Sequence, residues 1–305
     1  MLKFILRRLL LIIPMALVVV TLTWGLIRAA PGTFYDSEKP LPIAIRANIE
    51  KKYGLDKPWY QQYWMMLSNV AQGDFGDSLK YQGQSVNEII KRHLPYSATI
   101  GIIAYLLALA LGLSAGIIAA LKQNSLFDYG AMAVAMLGLS VPNFVFGPIL
   151  VLIFALGLYV VPPARWGGVS SIILPVITLA AIYAAYIARL TRAGMLEVLR
   201  SDYIRTARAK GLDEKTVLLK HALRGGIIPV VSFTGPALAA LLAGTVVVER
   251  IFSIPGLGKI FIEAVLNRDE PLVLGIVAFL SILVMVFNLL VDISYGFLDP
   301  RIRYE

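Results

Sequence analysis

Long stretches of uncharged, apolar residues constrain this chain more than any other feature of its sequence. A hydrocarbon core of roughly 30 Å is crossed by about 20 residues of α-helix. Because lipid cannot satisfy exposed backbone groups, such stretches are expected to be helices. We therefore predict an all-α membrane protein with six transmembrane helices, within Leu9–Ile27, Leu94–Leu121, Tyr129–Ala164, Trp166–Ala188, Gly225–Val248 and Pro271–Val291.

Two of these windows need comment. Leu9–Ile27 is longer than the apolar part of a signal peptide, about 7–15 residues, so we interpret it as an anchor rather than a cleaved segment. Tyr129–Ala164 is long enough for a span and an exit loop, and Pro162 and Pro163 would end that helix.

The composition agrees with a membrane protein. Hydrophobic residues make up 58% of the 305 residues and charged residues 15%, whereas a soluble domain is about half apolar and roughly a quarter charged. The absence of cysteine excludes disulfides, thiolate zinc sites and cysteine nucleophiles.

The net charge of +9 is explained by topology. Lysine and arginine concentrate in cytoplasmic loops, and with six spans most basic residues fall on one side, which places both termini in the cytoplasm. Nucleic acid is therefore not an expected partner. The cytoplasmic set is Lys3, Arg7, Arg8, Lys122, Arg189, Arg192, Arg200, Arg205, Arg208, Lys210, Lys215, Lys220, Arg224, Arg301 and Arg303; the short outer loops hold Arg165, Arg250, Lys259 and Arg268.

The chain divides into four parts. Residues 1–30 form an N-terminal transmembrane helix and 31–93 a partly helical external segment. Residues 94–298 form a five-helix core with a cytoplasmic loop at about 199–226, and 299–305 form a cytoplasmic tail. In the external segment we expect helices at Ile43–Tyr53 and at the aromatic-rich Trp59–Val70, which lies near the membrane surface, and a turn at Gly73–Ser78.

Small residues within the spans predict close helix packing, either inside the chain or between subunits. They are Gly112 and Gly116, then Ala180, Ala184 and Ala188, and then Ala237 and Gly244 beside Leu241. Interior prolines permit kinks, and they stand at Pro142, Pro148, Pro175 and Pro236.

Ionisable residues inside spans mark proton or ion relays. The predicted spans contain almost none, and Asp292, at the inner end of the sixth span, is the exception. It shares a helical face with Ser281, Met285 and Asn288. An ion pair with a cytoplasmic arginine is the favoured interpretation, and a role in the pathway is the alternative. This scarcity argues against a proton-coupled secondary transporter.

The cytoplasmic loop between the fourth and fifth spans carries the strongest functional pattern. We predict a helix over Asp202–Lys210 that ends at Gly211, followed by a second helix that Asp213 caps and that runs to Arg224. The spacing puts Tyr203, Ala207 and Lys210 on one face of the first helix, and Ile204 and Arg208 on another.

This loop resembles the coupling loop of binding-protein-dependent ABC importer permeases. That family's motif is Glu-Ala-Ala with a glycine four residues after the last alanine, and here Arg205-Thr206-Ala207 precede Gly211. The arginine in place of glutamate is similar to the oligopeptide and dipeptide branch. The resemblance runs nearly end to end, through Gly73–Ser78, Pro95–Ala98, Ala119–Asn124, Ile254–Gly258, Leu266–Asp269 and Asp299–Arg301, and is closest to the first permease of oligopeptide importers.

The resemblance implies a type I ABC importer permease fold in the bacterial inner membrane. It implies a heterodimer with a second permease, two ATP-binding cassette ATPase subunits, a periplasmic peptide-binding protein, surrounding lipid and a peptide substrate. The expected substrate is an oligopeptide, with a dipeptide or a nickel chelate left open. By the same resemblance the ATPase contact is formed by Tyr203, Ile204, Arg205, Thr206, Ala207, Arg208, Ala209, Lys210, Gly211 and Leu212.

The chain itself carries no pattern for catalysis or for a cofactor. Gly258-Lys259 lacks the other residues of a phosphate loop, and His93 and His221 are predicted on opposite sides of the membrane. We expect a non-catalytic subunit, with a self-sufficient secondary carrier as the first alternative and a scaffold or membrane enzyme as the second. Uncharged polar residues that could line a pathway are Asn143, Tyr183, Tyr186, Ser232, Thr234 and Asn288.

Overall fold

The computed structural model describes residues 2–31, 50–51, 53–242 and 246–298, and over these ranges the regular structure is helical. The helices are α1 (Leu2–Ala29), α2 (Trp59–Ala71), α3 (Val86–Leu121), α4 (Leu126–Ser140), α5 (Asn143–Gly157), α6 (Val169–Leu199), α7 (Asp202–Ala209), α8 (214–226), α9 (Ile228–Leu242), α10 (Val246–Ile251), α11 (Leu257–Leu266) and α12 (Glu270–Leu298). Most of Ile43–Tyr53, Gly244 and the tail at 299–305 lie outside the described residues.

Five helical stretches are long and apolar enough to cross a membrane, and a bent pair makes a candidate sixth. The predicted windows fall largely inside these stretches, which extend well beyond them. Thus α3 begins at Val86, where Ser85 caps it by accepting from the Glu88 N–H, and α6 continues to Leu199.

The third predicted span, within Tyr129–Ala164, is not one continuous helix, and Pro162 and Pro163 do not end it. The chain forms α4 and α5, which meet at an angle of 105°. Proline disfavours helical geometry in the residue before it, and Val141 accordingly has an extended backbone, with φ −92° and ψ 114°. Pro142 then precedes the first residue of α5. The helix ends at Gly157, ahead of the prolines expected to end it.

The bent pair runs between the two ends of α6. At the start of α4, the Asp128 carboxylate binds Arg192, near the C-terminal end of α6, with a distance of 2.6 Å to Nε. After α5 the chain leads to the other end of α6, where the Arg165 N–H donates to the Phe252 carbonyl at 2.9 Å. The pair therefore covers the length of α6.

Helix α6 is the centre of the bundle and α1 is its periphery. In α6, 56% of the residues of its most apolar stretch are buried within the protein, whereas in α1 only 6% are. Helix α3 packs against α6 through Gly112 and Gly116, where an added methyl would lie 2.7 Å from Ile187 and 2.5 Å from Thr191. The predicted small-residue contacts on these two helices are therefore confirmed as packing within the chain.

Helix α1 is attached to α12 by an ion pair at one end. Arg8 Nη1 lies 2.7 Å from Asp292 Oδ2. This confirms the predicted ion pair between Asp292 and an arginine.

The external segment also follows its predicted outline. Helix α2 has no fully buried residue, and Trp59 and Trp64 are each 67% exposed. It is tied to α1 by a bond between the hydroxyls of Tyr63 and Thr21, 2.7 Å apart. A turn follows at residues 73–78, as expected.

Candidate functional site

The predicted cytoplasmic loop, residues 201–226 and named the cytoplasmic module after that prediction, consists of α7, a glycine turn and α8. Gly211 has a φ of +76°, in the left-handed region that favours glycine, so the predicted helix end is confirmed. The Asp213 carboxylate accepts a bond of 3.1 Å from the Thr216 N–H and caps α8. The bonds from Thr216 hold the pKa of this carboxyl below its ordinary value.

One face of α7 is buried against the transmembrane bundle. Ile204 is fully buried and Ala207 is 7% exposed. Both belong to an apolar cluster with Met195 of α6, Ala120 of α3 and Val217 of α8. The prediction that Ala207 and Ile204 lie on different faces is wrong, because residues three apart on this short helix share its buried side. Neither side chain is available to a partner in this arrangement.

The end of the module touches α6 backbone to backbone. A methyl on Gly194 would overlap the carbonyl oxygen of Gly226, and a methyl on Gly226 would overlap Met195. The Tyr203 hydroxyl lies over Gly225, 3.0 Å from where a β-carbon would stand. Contacts this close leave no room for sliding, so the module and α6 form one packed unit.

The opposite face of the module is exposed and basic. The remaining predicted contact residues are exposed: Tyr203, Arg205, Thr206, Arg208, Ala209, Lys210, Gly211 and Leu212. Arg208 donates to both carboxylate oxygens of Glu214, from Nε at 3.1 Å and from Nη2 at 2.6 Å. This pairing fixes α7 against α8 and keeps the pKa of Glu214 below its ordinary value. Arg205 lies 3.6 Å from Asp202 on the surface.

The structure brings together only part of the predicted pathway set. The Tyr183 and Tyr186 rings of α6 lie 6.1 and 5.5 Å from the ring of Phe233 on α9. Ser232 precedes Phe233 and donates to the Ile228 carbonyl. These aromatic rings form a continuous wall on one side of α6.

Three predicted pathway residues have other positions. The hydroxyl of Thr234 is 2.5 Å from that of Tyr105, so it joins α9 to α3. Asn288 lies against Gly235, so it sits between α12 and α9. Asn143 is half-buried at the first turn of α5, directly after the bend.

The expectation that Asp292 is the only ionisable group within the spans is wrong. Glu249 lies at the end of the stretch Ile228–Ile251 and is 2% exposed. Its carboxylate accepts from the Ser97 hydroxyl at 2.7 Å and from the Lys259 N–H at 2.9 Å. Ser97 in turn accepts from the Leu257 N–H at 2.8 Å. Together the two side chains bind the free N–H groups at the start of α11.

Asp269 plays a similar part outside the membrane. It is fully buried and accepts from the Ser78 hydroxyl and from the N–H groups of Leu79, Lys80 and Leu272. This carboxylate fastens the external turn to the start of α12. Nearby, burial and a bond from Tyr81 to Glu263 raise the pKa of Tyr81 to about 12.

Sequence comparison identifies the class to which this architecture belongs. Residues 112–304 match the family described as "Binding-protein-dependent transport system inner membrane component", and residues 1–100 match the N-terminal part of such membrane components. The chain belongs to this family. It is thus a multi-pass component of the inner membrane.

The relatives are peptide transport permeases. The chain is 46% identical over 306 residues to the oligopeptide transport system permease protein OppB of Haemophilus influenzae and to that of Escherichia coli K12, with 100% of both chains covered in each case. It is 42% identical to the dipeptide transport system permease protein DppB of Bacillus subtilis, over 94% of this chain and 93% of that protein.

Solved structures share the fold. A chain of an amino acid ABC transporter crystallised with histidines aligns with a TM-score of 0.54 at 17% identity, over 69% of this chain and 94% of the other. A chain of the inward-facing MetNI methionine ABC transporter aligns with a TM-score of 0.56 at 16% identity, over 69% and 96%. This chain therefore extends beyond the shared fold.

Proposed function

We propose that the chain is a non-catalytic permease subunit of an ATP-driven importer of oligopeptides. It forms half of the translocation pathway and couples it to ATPase subunits by alternating access. The full-length identity to oligopeptide permeases supports this substrate.

The observation that carries the proposal is the construction of the cytoplasmic module. Ile204 and Ala207 seat α7 in an apolar cluster with residues of α3 and α6, and Gly226 meets Gly194. A short helix held in this way transmits a push to the spans as a rigid body. The exposed basic face, including Arg205 and Lys210, is complementary to an acidic groove on an ATPase.

The fold and the charge distribution support the proposed orientation. The pair α4 and α5 covers the length of α6, so we count it as one span and the chain as having six. An even number puts both termini on the side of the cytoplasmic module, where basic residues are concentrated. The partners are a second permease, two ATPase subunits, a periplasmic peptide-binding protein and membrane lipid.

Two alternative functions are a permease for dipeptides and a secondary carrier. A permease for dipeptides has support in the 42% identity to a dipeptide permease. A secondary carrier needs a buried group that exchanges protons. The buried carboxylate of Glu249 is already occupied by the Ser97 hydroxyl and the Lys259 N–H, which suits a structural role.

A cysteine crosslink tests the proposed coupling. Because the chain has no cysteine, Ala209→Cys on the exposed face of α7 supplies a single thiol, and Ala71→Cys, exposed at the end of α2, is the matched control. In the complete reconstituted complex we expect position 209, and not position 71, to crosslink to an ATPase with a yield that changes with ATP. Peptide uptake that needs no ATP, or no crosslink at position 209 in a transport-competent complex, would refute the proposal.

A further inference from the structure

One face of the otherwise central helix α6 is exposed near the cytoplasmic module. Tyr186, Arg189 and Ala193 lie on this face, at successive spacings of three and four residues. Most of the remaining surface of this helix is covered by α3, α4, α5 and α9. The exposed face therefore carries a cationic side chain, that of Arg189, close to the aromatic ring of Tyr186.

This exposed face opens into a recess of about 400 Å³ between α4 and α6. Its walls are apolar and adaptable, with Met132 and Met136 from α4 and Tyr186 and Leu190 from α6. Methionine side chains are flexible and polarizable, which suits surfaces that accept varied ligands. The recess adjoins the aromatic wall, because Tyr186 belongs to both.

The two arginines of this recess differ in their electrostatic state. Arg192 binds both oxygens of Asp128, at 2.6 and 2.8 Å, and that pair neutralises itself. Arg189 is exposed and, within the part of the chain that the structure describes, no carboxylate lies in ion-pair distance of it. The recess therefore carries one uncompensated positive charge beside methionine and tyrosine.

We propose that this recess binds the C-terminal carboxylate of the transported peptide and that Arg189 holds it; the inference rests on the proposed function. A free carboxylate is the one anionic group that every linear peptide shares, whatever its sequence. The planar guanidinium binds a carboxylate through two parallel hydrogen bonds. The apolar walls then accept the terminal side chain without selecting strongly among residue types.

The arrangement favours a peptide over a phospholipid headgroup. Recognition of anionic lipid uses clusters of several basic residues near the membrane surface. Here the second arginine is already engaged by Asp128, and the walls continue inward to the rings of Tyr183 and Phe233. A phosphate would contact only the guanidinium at the edge of the recess, whereas a peptide would also contact its apolar walls.

The test compares a peptide that has a free C-terminus with its C-terminal amide. Uptake of both is measured in proteoliposomes that hold the complete complex, with its binding protein, for Arg189→Gln, Arg189→Lys and a control, Arg200→Gln. Arg200 is exposed directly after α6, outside the recess, and its side chain donates to the Gln123 side chain at 3.2 Å. Because the binding protein is the same throughout, its own preference cancels when variants are compared.

We expect Arg189→Gln to lower the acid-to-amide uptake ratio about tenfold, through a higher KM for the acid, because a charged hydrogen-bond partner is lost. Arg189→Lys should give an intermediate ratio, and Arg200→Gln the wild-type ratio. An unchanged ratio in Arg189→Gln overturns the inference. So does an equal loss for both peptides, or a loss that follows the anionic lipid content, since these mark a structural or lipid contact. Wild-type complexes without ATP-driven peptide uptake would instead refute the proposed function.

A second measurement does not depend on turnover. Ala193→Cys places a thiol in the recess while Arg189 is retained. Peptides with a thiol-reactive disulfide on the side chain of the last residue should crosslink faster than peptides with it on the first residue. Equal rates would overturn the inference even if the substitutions at position 189 prevented assembly.

Discussion

The outer end of the bundle and the attachment of the cytoplasmic module to it are stabilised by opposite means. At the outer end, Glu249 and Asp269 are buried and their oxygens are occupied by backbone N–H groups and by Ser97 and Ser78. At the inner end, the cytoplasmic module is held by apolar side chains and by the contact of Gly194 with Gly226. Its charges lie on the surface.

This difference separates two tasks. A buried carboxylate with bonded donors accepts only one geometry, since any movement leaves polar groups unsatisfied. Apolar packing fixes the position of α7 without involving its charged side chains. The exposed residues of α7 therefore stay available to a partner. The outer end is thus fixed within the chain, whereas the proposed function has the inner end completed by another protein. Three substitutions test this contrast, in order of decreasing effect.

The largest effect is expected at Glu249. In Glu249→Leu the Ser97 hydroxyl and the N–H of Lys259 lose their acceptor in a buried site, at a cost of about 3 kcal/mol. Thermal unfolding of the purified complex should show the loss, with Glu249→Gln less affected because one acceptor oxygen remains. Glu88→Leu, at an exposed position in the first turn of α3, is the control. Equal melting of Glu249→Leu and wild type would show that the outer end does not depend on this carboxylate.

An intermediate effect is expected at the inner end. Gly194→Ala forces the Gly226 backbone away from α6, at about 2 kcal/mol, typical of an overpacked contact. Because the module shifts, ATP hydrolysis should continue while peptide uptake per ATP falls. Gly130→Ala on α4 is the control, since nothing lies within 4 Å of its added methyl. Unaltered coupling in Gly194→Ala would show that the glycine contact is not needed for transmission.

The smallest effect is expected for the exposed pair of Arg208 and Glu214. Because Arg208 lowers the pKa of Glu214, the pair stabilises the module above the unfolded value of about 4.3. That contribution is lost as the pH falls through the still lower folded pKa. Amide exchange at 209–213 should therefore be slightly faster in Glu214→Gln at pH 7, and the difference should vanish in acid. A difference that persists at low pH would mean that the pair does not act through its charge.

Local patterns predicted the cytoplasmic module well. The end of α7 at Gly211 and the cap at Asp213 depend on residues within a few positions of each other, so sequence contains the whole cause. The buried side of the helix was predicted less well. Alanine is common on both buried and exposed helix faces, so the residue type of Ala207 does not indicate its side. Its burial is determined by packing with Ile204 and with the cluster around Met195.

Long-range partners explain the other failures. Glu249 follows an apolar run and reads as the polar end of a span, while Ser97, which binds it, lies in α3, 152 positions earlier. The third span is interrupted for a different reason. Pro142 permits a kink, but the sequence alone does not tell a mild kink from the break of 105° between α4 and α5.

Two sites lie close together on helix α6. Arg189 lines the recess, and Met195 belongs to the apolar cluster that holds the module. They are six residues apart, or about 9 Å along the helix axis. No break in the helix separates them, since the nearest interior proline is Pro175, toward the other end. Under the two proposals above, a ligand at Arg189 and a nucleotide-driven partner at α7 act on the same rigid helix. Peptide release and the state of the ATPase would then be one mechanical event, and a kinetic delay between them would have to arise elsewhere in the assembly.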